Sequence, residues 1–193
     1  MLAGRGFKEV YSLAGGIKAW QGEKAWGPEQ SGLGLMRGDE TQAGLLAVAF
    51  GMEKGLSAFY QAAAGMLSDG RAIELVKNLS GVEERHAERV LEMFEAANPT
   101  SEDRLALQNA PSDTTEGGFI SGDLRKVLEQ SNMGAAELID WAMALEAQAM
   151  DLYLRMARRA SDPDAAMALR QVGDEEKAHL ESLAGLRDQY AAA

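Results

Sequence analysis

The chain contains an internal repeat, which constrains its fold more than any other feature of the sequence. A shift of 93 positions superimposes the following residues: Glu53 on Glu146, Tyr60 on Tyr153, Ser68-Asp69 on Ser161-Asp162, Glu83 on Glu176, His86 on His179, and Glu88 on Glu181. Because the matched residues are polar or aromatic, a shared amphipathic pattern alone does not explain their alignment. One structural unit is therefore present twice.

Each copy of the repeat predicts a helical hairpin. Apolar residues recur at three- and four-residue spacing in four stretches, the pattern of helices with one buried face. These stretches cover residues 41–67, 70–97, 134–160 and 163–190, and a short helical stretch at Asp123–Glu129 lies in the long connection between the second and third. Four helices joined by short, long and short connections predict an all-α four-helix bundle with a crossover between helices two and three.

The residues before the bundle differ in composition from the rest. Residues 9–13 have the β-branched and aromatic character of a strand, and residues 17–21 suit one helical turn. We therefore predict a short N-terminal strand and helix fragment over residues 1–28, a linker over 29–40 and the bundle over 41–193.

Composition excludes several functions. The formal charge is −11 and the basic residues are scattered among acids, which disfavours nucleic-acid binding. The chain has no cysteine, so a metal must bind through carboxylate and imidazole groups. No long uncharged apolar run indicates a membrane segment, and the sequence predicts a soluble cytoplasmic protein.

The repeat also predicts that four glutamates share one layer of the bundle. The midpoint of Glu53 and Glu83 is residue 68, and the midpoint of Glu146 and Glu176 is residue 161, so both midpoints fall on a Ser-Asp turn. Residues equally far from the turn of an antiparallel hairpin lie at the same height.

A histidine follows three positions after each second-helix glutamate, on the same helix face. This pattern predicts a two-metal site, with iron or manganese bound by six residues: Glu53, Glu83, His86, Glu146, Glu176 and His179. The alternative is a set of solvated residues on charged helix faces. Tyr60 and Tyr153 lie two turns beyond Glu53 and Glu146, where they are candidate catalytic phenols or hydrogen-bond donors, or else ordinary core tyrosines.

Several motifs resemble the rubrerythrin branch of the ferritin-like superfamily, over about Asp39 to Tyr190. They are Met52-Glu53, Glu83-Glu84-Arg85-His86, Leu145-Glu146 and Asp174-Glu175-Glu176-Lys177-Ala178-His179. The resemblance implies a ferritin-like bundle with a non-haem di-iron centre. It also implies reaction with hydrogen peroxide or dioxygen, with electrons supplied by a partner.

The chain departs from the rubrerythrin pattern in two respects. It lacks the four cysteines of a rubredoxin domain, so an external electron-donor protein is expected. Ala149 stands where rubrerythrins carry an additional glutamate, which implies a more symmetric site.

The opening of the chain is similar to the end of a rhodanese domain. The similarity rests on Gly6-Phe7-Lys8-Glu9-Val10-Tyr11, Gly15-Gly16-Ile17 and Ala19-Trp20, and it implies a C-terminal remnant without the catalytic cysteine loop. An apolar fragment with Tyr11, Trp20 and Trp26 favours packing on the bundle or a neighbouring subunit, hence a homodimer.

Taken together, the sequence predicts a di-iron oxidoreductase that reduces peroxide or dioxygen. Iron binding and oxidation without steady-state turnover, manganese-dependent peroxide disproportionation, and a metal-free helical interaction domain are the alternatives.

Overall fold

The computed structural model describes residues 32–35, 40–110, 113–131 and 133–191. Within these ranges it contains six α-helices: α1 (Gln42–Ala63), α2 (Gly70–Ala96), α3 (Ser101–Gln108), α4 (Ser121–Gln130), α5 (Ala135–Arg159) and α6 (Pro163–Ala191). The four long helices α1, α2, α5 and α6 confirm the predicted all-α bundle. The predicted N-terminal strand and helix, and the rhodanese-like segment, lie outside the described residues.

The long helices pack as two antiparallel hairpins, α1 with α2 and α5 with α6. Both Ser-Asp turns cap the second helix of their hairpin, because the Asp69 carboxylate accepts from the Ala72 amide and Asp162 accepts from the Asp164 amide, each at 3.1 Å. Helix α1 ends at Ala63, before the predicted limit at Leu67. The chain turns early because tight turn hydrogen bonds over residues 62–66 replace the helical pattern.

The crossover contains a helix that the sequence reasoning missed. Helix α3 begins with a capping box, in which Thr100 and Asp103 satisfy each other's backbone amides. Asp103 also accepts a hydrogen bond of 2.7 Å from the Thr41 hydroxyl at the start of α1. This hydrogen bond links the crossover to the end of the first hairpin that lies opposite its turn, where α1 begins and α2 ends.

Two apolar clusters fill the bundle, one at each end. The first joins the start of α1 to the end of α5, and the second joins the end of α1 to the start of α5, so α1 and α5 are antiparallel. On each long helix, one buried glutamate lies between residues of the two clusters: Glu53 between Met52 and Leu56, Glu83 between Leu79 and Val90, Glu146 between Leu145 and Ala149, and Glu176 between Val172 and Leu183. A polar layer thus separates the two halves of the core, in agreement with the prediction that the four glutamates share one layer.

None of the helices in the described ranges is long and apolar enough to cross a membrane.

The capping box of α3 generates a stability prediction. Partial burial opposes ionisation of Asp103, but hydrogen bonds from Thr100 and Thr41 outweigh it and lower the pKa of the carboxyl below its ordinary value of 3.8. We expect Asp103→Ala to lower the free energy of unfolding by about 1–2 kcal/mol at pH 7, measured by urea denaturation. Because the folded pKa is depressed, the difference should shrink as pH falls through that pKa.

The matched control is Asp123→Ala in α4, which removes an exposed ion pair with Lys126. A change of about 0.5 kcal/mol or less is expected there. Equal effects of the two substitutions would contradict the role assigned to Asp103.

Candidate metal centre

The structure brings the six residues predicted as ligands into one cluster. Its four glutamates are completely buried or nearly so: Glu53, Glu83, Glu146 and Glu176. His179 is buried and His86 is half-buried. The reading of these residues as solvated charges on exposed helix faces therefore does not fit the structure.

The two imidazoles turn the same nitrogen toward the carboxylates. The Nδ1 atom of His86 lies 3.2 Å from an oxygen of Glu83, 3.7 Å from one of Glu53 and 3.8 Å from one of Glu176. The Nδ1 atom of His179 lies 3.3 Å from an oxygen of Glu146 and 3.9 Å from one of Glu83. Burial is the main cause that lowers the pKa of His179, which favours the neutral imidazole that a metal ion requires.

Glu83 occupies a central place in this arrangement. Its Oε2 atom faces His86 and its Oε1 atom faces His179, while the two imidazole rings lie edge to face with centroids 5.2 Å apart. A carboxylate that presents one oxygen to each of two imidazoles could bind metal together with either histidine.

Four overlapping groups of donor atoms lie within 4.8 Å of one another. They are Glu83 with His86 and His179, Glu53 with His86 and Glu176, Glu146 with Glu176 and His179, and Glu53 with Glu83 and Glu116. Oxygen and nitrogen donors grouped in this way suit iron and manganese. The buried cluster could therefore hold metal.

Unpaired polar atoms provide a test of whether a metal fits. Nine buried atoms of the cluster have no hydrogen-bond partner among the described residues: Glu53 Oε2, both oxygens of Glu83 and of Glu146, Glu116 Oε2, Glu176 Oε2, and the Nδ1 atoms of His86 and His179. Buried polar groups left unpaired are costly, and buried carboxylates are normally paired or bound to metal. The donor set fits metal ions.

Without a metal, the carboxyls favour the protonated form. Burial raises the pKa of Glu53, Glu146 and Glu176 well above the ordinary value, and the charge of Glu116 raises each of them further. Burial and then Glu116 raise the pKa of Glu83 to about 8, against the opposing effect of His179 and Arg85. Burial, followed by repulsion between neighbouring carboxylates, explains these directions.

The two tyrosines of the repeat occupy different surroundings. The Tyr153 hydroxyl is positioned to donate to Glu53 at 3.2 Å and to Glu116 at 3.1 Å. The buried Tyr60 hydroxyl has no hydrogen-bond partner in the described part of the chain. Burial raises the pKa of both phenols, so both stay protonated at neutral pH. Tyr153 belongs to the polar cluster through its contacts, whereas Tyr60 does not.

Glu116 was missed by the sequence reasoning. It lies in a short 3₁₀ turn of the crossover, Glu116–Gly118, and its side chain is fully buried. The 93-residue repeat carries no information about this segment, and a glutamate beside Thr115 and two glycines is typical of a solvent-exposed loop. The glycine pair indicates a turn, but no local signal indicates burial.

One side of the cluster opens on a groove between α2 and α6. The cavity has a volume of about 640 Å³, and its walls include both histidines and apolar residues such as Leu79, Val82 and Leu183. Glu84 is exposed, and Glu175 forms an ion pair with Arg89 at this groove. These two glutamates lie outside the cluster.

These observations define a class of protein. A four-helix bundle with a long crossover, a glutamate on each long helix and a histidine three positions after two of them is ferritin-like with a carboxylate-histidine site. The sequence model of the rubrerythrin family matches residues 44–187, and the chain belongs to this family. Its members typically bind iron.

The other comparisons concern the fold alone. A hypothetical protein from Pyrococcus furiosus has a solved structure that matches with a TM-score of 0.50 and 18% sequence identity. The match covers 83% of this chain and 94% of that chain. No curated protein matches this chain, and no comparison supports the rhodanese resemblance of residues 1–28.

The raised pKa of Glu83 predicts how pH affects the metal-free protein. Because the folded pKa of about 8 exceeds the ordinary 4.5, the folded state holds a proton that the unfolded state releases between these values. Stability of the metal-free wild type should therefore fall as pH rises through this window. Glu83→Gln removes that proton linkage, and its stability advantage should grow by at most about 1.4 kcal/mol per pH unit.

The measurement is chemical denaturation at several pH values in the presence of a chelator. Glu88→Gln, on an exposed position of the same helix, should follow the wild type. A gap between Glu83→Gln and the wild type that does not change with pH would contradict the assignment.

Proposed function

We propose that this chain is a di-iron oxidoreductase that reduces hydrogen peroxide or dioxygen with electrons from an external donor protein. The observation that carries the proposal is the buried cluster of glutamates and histidines, in a chain that belongs to a family whose members typically bind iron. The ligands proposed for the metal pair are Glu53, Glu83, His86, Glu146, Glu176 and His179.

The charge of these residues supports a pair of ions rather than one. The four buried glutamates carry four negative charges when ionised, which balance two divalent cations. The positions of Glu53 near His86 and of Glu146 near His179 divide the donors into two sets. Glu83, which faces both histidines, connects the sets.

The iron pair would supply redox chemistry, since two ferrous ions give two electrons that, with two protons, reduce one hydrogen peroxide to two waters. The residues of the chain set the conditions for this reaction. The apolar clusters on both sides exclude bulk water from the carboxylate layer. Tyr153 holds a proton at its hydroxyl beside Glu53 and Glu116, where it is available as a hydrogen-bond donor.

The groove between α2 and α6 supports a small oxidant as substrate. Its walls expose part of His86, whose side chain is 17% accessible to solvent, beside the nearly buried His179. Peroxide and dioxygen need no charged recognition pocket, and a largely apolar passage admits them. Arg85 lines the same groove beside the ion pair of Arg89 and Glu175, so one positive charge in excess remains there, which suits an acidic partner surface.

An external donor follows from the composition of the chain. With no cysteine, the sequence has no ligands for an iron–sulfur electron-transfer centre. Electrons for repeated turnover must then arrive from another molecule. The homodimer stays a prediction.

The proposal is tested by anaerobic metal analysis followed by stopped-flow mixing of the ferrous protein with peroxide and, separately, with dioxygen. We expect two iron ions per chain and repeated consumption of oxidant when a reductant is supplied. The double variant Glu53→Ala/Glu146→Ala should lose two-metal occupancy and at least 100-fold in the rate of iron oxidation, because each proposed half-site loses a ligand.

The control is Glu84→Ala, which removes an exposed carboxylate next to Glu83 and should leave occupancy and rate unchanged. A single stoichiometric oxidation without turnover would instead identify an iron-handling protein, and activity with manganese alone a disproportionating enzyme. Unchanged metal content in the double variant would overturn the ligand assignment.

A further inference from the structure

We propose that Glu116, supplied by the crossover, is a seventh ligand residue of the metal pair, on the side of Glu53. The inference rests on the proposed function, since it extends the same site. It would add a residue of the crossover to the ligands that the four long helices provide.

The first observation is the burial of Glu116. Its side chain has no solvent exposure although it belongs to a connection between helices, where acidic residues normally face water. The Oε1 atom accepts from Tyr153, whereas Oε2 has no hydrogen-bond partner among the described residues. A half-satisfied buried carboxylate requires a further partner.

The second observation is that Glu116 lies close to two of the proposed ligands. A carboxylate oxygen of Glu116 forms a group with oxygens of Glu53 and Glu83, all within 4.8 Å of one another. Three acidic groups at this spacing repel one another unless protons or a cation lie between them. A cation that is bound by Glu53 and Glu83 is therefore within reach of Glu116.

The third observation is that the backbone holds this position firmly. The amide of Thr115 donates to the carbonyl of Phe119 at 2.7 Å, and Thr114 forms a β-bridge with Ile120, so the turn is closed at its base. Gly117 has φ of +70°, and a Cβ atom there would lie 2.8 Å from Cγ of Gln148 on α5. Only glycine permits the turn to approach α5 this closely.

The position of Ala149 is consistent with this role. Ala149 lies on α5 three residues after Glu146 and four before Tyr153, so all three share the face toward the cluster. Its methyl group is fully buried and supplies no donor atom. The crossover, which packs against α5 and α1, provides a carboxylate to this part of the layer instead.

The negative charge of Glu116 would affect the reduction potential of the iron pair. Four glutamates balance two divalent ions, and a fifth carboxylate offsets part of the additional positive charge of two trivalent ions. Glu116 should therefore stabilise the oxidised state more than the reduced state. Its removal should raise the reduction potential of the iron pair.

The test compares Glu116→Gln with Tyr153→Phe. The first substitution keeps the shape but removes the negative charge, and the second removes the hydroxyl that bonds to Glu116 while it leaves the carboxylate in place. Binding of Co²⁺ is followed by titration and by the d–d absorption spectrum, and the potential by redox titration of the iron-loaded protein. Circular dichroism and thermal unfolding of the metal-free proteins confirm that the variants fold.

In Glu116→Gln we expect one of two Co²⁺ ions to bind about tenfold or more weakly, a changed d–d spectrum and an upward shift of the potential. Tyr153→Phe keeps every proposed ligand, so it should still bind two Co²⁺ ions and should change the affinity, the spectrum and the potential less than Glu116→Gln does. Glu116→Asp, which keeps the charge but shortens the side chain, should also change the spectrum. It replaces Glu116→Gln as the test variant if Glu116→Gln does not fold.

Wild-type affinity, spectrum and potential in Glu116→Gln would overturn the inference and leave the proposed function intact. The same changes in Glu116→Gln, Tyr153→Phe and the double variant would show that Glu116 acts only through the tyrosine, which also overturns it. If the wild type binds neither Co²⁺ nor Fe²⁺, the proposed function fails together with the inference.

Discussion

The burial of several carboxylates in one layer is the constraint on which the rest of the structure depends. Separated from water by an apolar cluster on each side, these groups repel one another and lose their hydration. Protons relieve the repulsion in the metal-free protein, as the raised pKa values of the four helix glutamates show. Metal cations would also relieve the repulsion, and they would leave the carboxylates deprotonated and able to act as ligands. Metal binding would then be linked to folding, because donors from four helices come together only in the folded chain.

Each of the two helical hairpins brings one pair of these glutamates together. Each turn is capped by an aspartate at the N-terminus of its second helix, and equal distances from the turn place each pair of glutamates side by side. The crossover then breaks the symmetry of the repeat. It brings Glu116 to the Glu53 side of the layer, where Tyr153 bonds to both carboxylates, while the equivalent Tyr60 lacks such a partner among the described residues. Tyr60 and Tyr153, which are equivalent positions of the repeat, therefore have different hydrogen-bonding surroundings.

The sequence predicted the four long helices and the residues of the repeat because both leave periodic signals. Helix limits were less accurate where local hydrogen bonding decides them, as at Ala63, where the chain enters a tight turn before the apolar pattern stops. Helix α3 was missed because its eight residues are too short for a clear period, although Thr100 and Asp103 carry the spacing of a capping box. Glu116 was beyond sequence reasoning for a different reason. Its burial depends on contacts with α1 and α5, which are distant in sequence, and its neighbours resemble an ordinary polar loop.

The two sides of the polar layer also differ in access. On one side, the turn Glu116–Gly118 packs against α1 and α5, with Gly117 so close to Gln148 that no side chain fits between them. On the other side, α2 and α6 leave the groove that exposes part of His86. In the reaction proposed above, an oxidant that enters through the groove would meet the imidazole side of the site first, with the carboxylates of α1 and α5 behind it. The ion pair of Arg89 and Glu175 joins α2 to α6 at the same groove, so charged side chains from both helices line its opening. The crossover thus covers the side on which it supplies a carboxylate, and the histidine-bearing helices α2 and α6 form the side on which the cluster opens to solvent.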